Sequence, residues 1–122
     1  MSWFTKSPPS AKWQLKSAKR SPFKPRTDGG LSFTMDANGT LDYKWLYVTL
    51  HFESKPTEDV LSEFSIRRGS DDDAGKLLGY TEKDGEFTLC FTGDWADVEG
   101  LSISDQKQTE VIGEVSKAAL PF

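Results

Sequence analysis

The strongest constraint in this chain is the segment Asp36-Ala37-Asn38-Gly39-Thr40, set between two alternating runs within residues 31–52. Asn-Gly between alternating apolar residues is a sharp hairpin signal, because both central residues of a type I′ turn need positive φ and these two tolerate it best. A β-hairpin is expected here. Before the turn, Leu31, Phe33 and Met35 alternate with polar residues, the pattern of a half-buried strand. After it, the two-residue period of a strand separates Leu46, Val48, Leu50 and Phe52 from Tyr43, Trp45 and Tyr47. The aliphatic row, with Leu31, Phe33, Phe87 and Leu89, is assigned to the main core. Tyrosine and tryptophan combine an apolar body with a polar tip, so Tyr43, Trp45 and Tyr47 are the candidate ligand- or partner-binding residues. The competing reading is that the leader or the segment around Trp95 roofs this row.

The remaining chain reads as short strands. Trp13 and Leu15 point inward from a first strand, after which Pro22, Pro25 and Asp28-Gly29-Gly30 break regular structure. Pro56 followed by Glu58 and Asp59 suits a helix of at most two turns with Val60, Leu61 and Phe64 on one side, and Phe64 and Ile66 then start a strand. Asp84-Gly85 marks a second hairpin whose core row is Phe87, Leu89 and Phe91, with Cys90 on the other face. Residues 93–100 read as a loop anchored by Trp95. Leu101 and Ile103 alternate briefly, and residues 109–115 suit either a strand or a helix carrying Ile112, Val115 and Ala119. The sum is mainly β: an antiparallel β-barrel, or a strongly curled sheet or sandwich, of six to eight strands with at most one or two short helices.

At 122 residues the chain has the length of one domain. It divides into a flexible basic leader over residues 1–10 and a single β domain over residues 11–122. Residues 1–26 carry seven basic residues and no acid, whereas the remaining 96 carry eight basic and nineteen acidic residues. An acidic body repels nucleic acid, so a nucleic-acid partner is not expected. The single Cys90 excludes an internal disulfide framework. No run approaches the ~18 apolar residues of a membrane span, and the first residues lack a signal-peptide core, so a cytoplasmic protein is expected.

A run of landmarks extends the reading: Trp13 on the first strand, then Gly75-Lys76-Leu77-Leu78-Gly79-Tyr80, the Asp84-Gly85 turn, and Phe87-Thr88-Leu89-Cys90-Phe91. This order resembles the small lipocalin-like domains of planctomycete bacteria, over about twenty residues. The glycine that precedes the first-strand tryptophan in that family is replaced here by Ala11-Lys12. The resemblance implies a calycin-type barrel, no established activity, and an interior ligand site.

No motif in the sequence points to catalysis, and the chain is expected not to be an enzyme. His51 is the only histidine and no G-x-S-x-G elbow occurs. One histidine and one cysteine do not make a zinc site, and Asp71-Asp72-Asp73 lacks EF-hand spacing. No phosphate-binding glycine loop is present. Neither a metal nor a cofactor is therefore expected. The reading is a non-enzymatic binding domain for a small apolar or aromatic ligand or for a protein partner, a second copy in a homodimer included. The alternative is a small acidic inhibitor or immunity-type protein that blocks another macromolecule.

Overall fold

The computed structural model describes residues 12–25, 28, 30–69 and 73–118. The leader at residues 1–10, the aspartates Asp71 and Asp72, and Ala119 lie outside them. In order come β1 (Trp13–Ser21), β2 (Phe23–Pro25), β3 (Leu31–Phe33), β4 (Trp45–Phe52), α1 (Glu58–Ser62), β5 (Ser65–Arg68), β6 (Gly75–Lys83), β7 (Glu86–Gly93), β8 (Leu101–Ser104), β9 (Thr109–Val111) and β10 (Ser116–Lys117). The protein is mainly β. Its strands form a five-stranded sheet in the order β10-β1-β4-β7-β6, a β2-β3 ribbon, and a three-stranded sheet in the order β5-β8-β9. None of the three closes into a barrel, which corrects the closed-barrel expectation. Among the described residues the strands number ten instead of the expected six to eight; the additions, β2 and β10, span only three and two residues and are too short for a period to register. Among the described residues, no helix is long and apolar enough to cross a membrane.

Strand β4 is central, antiparallel to β1 on one edge and to β7 on the other. Its register sets Leu50 between Leu15 and Phe87, and Val48 between Ala18 and Leu89. Strict alternation along β1 would send Ser17 inward after Trp13 and Leu15. A bulge at Lys16 instead pairs Ser17 with Thr49 on the outer face and places Ala18 in the core. The inner faces of the two larger sheets share one apolar cluster, including Leu46, Val48, Leu50, Leu89, Phe91, Ile66, Leu101 and Ile103. Phe64, just after α1, meets Trp13 and Phe52 edge-on at ring distances of 5.2 and 6.0 Å. Fully burying each such aliphatic side chain contributes ~1.5–3 kcal/mol, and this cluster holds the sheets together.

The two expected turns have different outcomes. Asp84 and Gly85 have φ of 53° and 82° and join β6 to β7 as a two-residue type I′ connection. At the Asn-Gly turn only Gly39 has positive φ, at 79°. Asp36 Oδ1 accepts from the amides of Asn38 and Thr40 at 2.8 and 3.0 Å, and the Gly39 amide donates to the Asp36 carbonyl. This is a three-residue loop with a bulged glycine, not a type I′ turn. Its ladder stops at the single bridge between Met35 and Leu41. The long hairpin between residues 31–35 and 41–52 is therefore not formed. Strand β4 has both edges occupied by β1 and β7, and β3 turns away to pair with β2. That pairing places a strand between Pro22 and Pro25, where the sequence reading expected irregular chain; a two-stranded ribbon tolerates proline because its outer edge needs no donor.

Smaller features follow the sequence more closely. Thr57 caps α1 by accepting from the Val60 amide, so Pro56 precedes the cap instead of occupying the first helical position. Leu61 and Phe64 are buried, as expected. Trp95 is fully buried in a loop and fits because Gly75 and Gly93 lack side chains; a Cβ on Gly75 would lie 2.6 Å from the indole. The segment after β8 is strand at β9 and β10, with Ile112 buried between them.

Candidate functional site

The outer face of the five-stranded sheet carries the side chains left over by the core. Strand β4 places Trp45, Tyr47, Thr49 and His51 there, and β7 adds Glu86, Thr88, Cys90 and Thr92 in register. The β2-β3 ribbon covers one end. The Tyr47 hydroxyl donates to the Phe23 carbonyl at 2.8 Å, and the Lys24 ammonium lies 5.5 Å from the centre of the Trp45 ring. Such cation–π contacts contribute ~0.5–1 kcal/mol at exposed sites and more when dry. Of the expected aromatic row, Trp45 and Tyr47 are thus on the face opposite the core, whereas Tyr43 precedes β4, and the three have different surroundings. Tyr47 is only 2% exposed beneath the ribbon. Trp45 is partly buried, with its indole Nε1 lacking a hydrogen-bond partner among the described residues. The Tyr43 ring lies between Arg20 and Lys117, at 5.7 and 5.5 Å. The Arg20 guanidinium also donates to the Trp95 carbonyl at 2.6 Å, so this basic residue from the N-terminal third is fixed in the fold.

Two depressions lie on the same face beyond the ribbon. A groove of about 710 Å³ is lined by Ser17, Lys19, Thr49, Thr81, Thr88 and Glu86, among others. Thr49 and Thr88 hydroxyls are bonded to each other across the strands at 2.9 Å. Beside it a recess of about 170 Å³ has Leu78, Tyr80, Cys90 and Tyr47 in its wall. Burial raises the Tyr47 hydroxyl above the usual phenol range, and adjacent Cys90 adds to this. The Cys90 thiol is also raised, chiefly by burial and against the opposing effect of Tyr47 and Lys24. A thiol in that state is protonated at neutral pH and is a poor nucleophile.

A third groove, of about 790 Å³, lies at the far end of β1 and β4, with His51 on its rim. Its polar groups mainly fasten the fold. Trp13 Nε1 donates to Asp105 Oδ2 at 3.1 Å, and Gln108 Nε2 donates to the Trp13 carbonyl at 2.8 Å, joining β1 to the turn between β8 and β9. Among the described residues, no group of three or more His, Cys, Asp or Glu could hold a metal ion.

The clearest departure from ordinary burial is the ribbon itself. Leu31, Phe33 and Met35, assigned from sequence to a half-buried core strand, are 39%, 54% and 52% exposed. Leu41, bridged to Met35, is exposed beside them. Lys24 and Ser32 form a cross-strand pair, and Lys24 faces the sheet at Trp45. Phe23 pairs with Phe33 on the ribbon's opposite face, with ring centres 6.1 Å apart. The ribbon therefore turns its polar side to the protein and its apolar side to solvent. Alternation could not reveal this, since it defines two faces without saying which one is covered.

Comparisons with protein-family models, curated proteins and solved structures give no match.

Proposed function

We propose that this chain is a non-enzymatic binding domain that engages a protein partner through the exposed apolar side of the β2-β3 ribbon. The frame is an open, curled two-sheet sandwich. Its β6-β7 hairpin contains the residues that resemble lipocalin-like domains, and its interior is filled by Trp95, Phe91 and their neighbours instead of ligand. The observation that carries the reading is the inverted ribbon. Isolated exposed apolar residues are ordinary, but Leu31, Phe33, Met35 and Leu41 gathered on one small element have the character of a contact surface. Trp45 and Tyr47 then support the ribbon from beneath, through Lys24 and the Phe23 carbonyl. A second reading, a small aromatic ligand, is favoured by the recess of about 170 Å³ walled by Leu78, Tyr80 and Cys90, which is the size of a single ring.

Photo-crosslinking in the native host tests the main reading. A benzophenone side chain at position 33 should yield a discrete protein adduct that the same group at exposed position 82 does not. Equal labelling from both positions, or none from either, would remove the ribbon as a docking surface.

A further inference from the structure

Resting on the second of those readings, the small aromatic ligand, we infer that the recess on the outer face of the five-stranded sheet binds a planar aromatic acid, its ring laid on Gly79 and Cys90 and its carboxylate directed at the Lys24 ammonium. The register explains why a recess exists there. Gly79, Cys90 and Tyr47 lie side by side across β6, β7 and β4, so the row descends from a tyrosine to a thiol and then to no side chain at all. A bulge between Leu77 and Gly79 leaves Leu78, 41% exposed, in the wall, and Lys24 of the ribbon forms another part of it. Neither the backbone nor a close neighbour demands glycine at 79: its φ is outside the left-handed region, and a Cβ there would meet nothing within 4 Å. The space of about 170 Å³ matches one ring, since a cavity of roughly 150 Å³ accommodates benzene. A floor of bare backbone and a small thiol is flat, which suits a planar ring better than a puckered one.

The surrounding groups select an acid. The Tyr47 hydroxyl donates to the Phe23 carbonyl, the Thr88 and Thr49 hydroxyls bind each other, and the Cys90 thiol is held protonated, so the floor is neutral. Lys24 is the charged residue in the wall among the described residues. Its ammonium lies over Trp45 without a carboxylate partner among them, and its charge is felt at the Cys90 thiol, which it draws down against burial. The adjoining positions of the sheet have the same sign. Lys19 pairs with Tyr47 in the recess row itself, and Lys76 pairs with Thr92 in the row on one side. Neither of these rows, nor the row of Thr81, Thr88 and Thr49 on the other side, contains an acid. Glu82, next along β6, is in register with inward-facing Phe87, and Glu86 is four residues from Cys90 along β7, roughly 13 Å away and opposite Lys83. Three lysines around a neutral, partly dry floor therefore attract a carboxylate.

Benzoate is the probe, titrated to millimolar concentration into the isotopically labelled full chain and followed by amide chemical shifts, with benzyl alcohol, benzylamine and cyclohexanecarboxylate in parallel. Benzoate should move the amides of Leu78, Gly79 and Cys90 and bind about tenfold more tightly than benzyl alcohol, the increment of a charge-assisted hydrogen bond in a partly wet site. Benzylamine should bind least. Lys24→Met keeps an apolar stem and removes the charge, so it should erase the preference for benzoate while leaving benzyl alcohol unchanged. Gly79→Val should fill the recess and abolish binding of every probe with the thermal midpoint within a few degrees of the parent, since the side chain enters open space. Equal affinity for benzoate and benzyl alcohol would overturn the acid while leaving the aromatic-ligand reading in place. Equal affinity for benzoate and cyclohexanecarboxylate would overturn the planar ring. Shifts confined to other parts of the chain, or none with any probe, would overturn both the inference and the reading on which it rests.

Discussion

Strands β3 and β4 carry nearly the same alternation and have opposite fates. In β4 the row Leu46, Val48, Leu50 and Phe52 is at most 5% exposed, whereas Phe33 in β3 is more than half exposed. Both strands are apolar every second residue. What separates them is neighbourhood: β4 is flanked on both edges and faces the second sheet, while β3 lies in a two-stranded ribbon outside that layer. A periodic apolar row therefore becomes core only when another layer lies over it. Where none does, the same row is left facing solvent.

The largest test of this contrast is Leu50→Ala against Phe33→Ala. Urea unfolding should show a loss of about 2–5 kcal/mol for the first, from the cavity left between the sheets, and no more than about 0.5 kcal/mol for the second. Equal losses would make the ribbon part of the core. Next comes Gly75→Ala. The added methyl group would meet the Trp95 ring and the Thr92 carbonyl at 2.6–2.8 Å, so overpacking should cost about 1–3 kcal/mol by calorimetry.

A smaller effect sharpens the comparison where the ribbon meets the sheet. Tyr47→Phe deletes the hydroxyl bonded to the Phe23 carbonyl and should cost about 0.5–1.5 kcal/mol. Hydrogen exchange should show the change concentrated in β2 and β3. Because the Tyr47 pKa is raised in the fold, its contribution is complete below the unfolded value of about 10 and is lost as pH rises beyond it. The stability of the parent protein should therefore fall more steeply than that of Tyr47→Phe above about pH 10. The smallest expected effect on folding is that of Phe33→Ser, within a few degrees of the parent midpoint, although this is the change expected to cost most in partner binding.

Much of the core was legible in the residues alone. The row Phe87, Leu89 and Phe91, the Asp84-Gly85 turn and the inward faces of Trp13, Ile66 and Ile103 all follow from local period and turn chemistry, which depend only on near neighbours in the chain. The loop built on Trp95 was legible too, since an indole among polar residues and glycines needs somewhere to be buried. The bulge at Lys16, which reassigns Ser17 and Ala18, was not legible, because a register shift is defined by the partner strand. Nor was the pairing of β3. The Asn-Gly turn forms locally through Asp36, yet which strand lies beside Leu31 was decided by competition for the edges of β4, won by β1 and β7. The candidate surface depended on that outcome. The sequence by itself determined that residues 31–35 have an apolar face, through the two-residue period of an extended chain; only the tertiary structure decided that this face meets solvent, because burial depends on whether a second layer covers it.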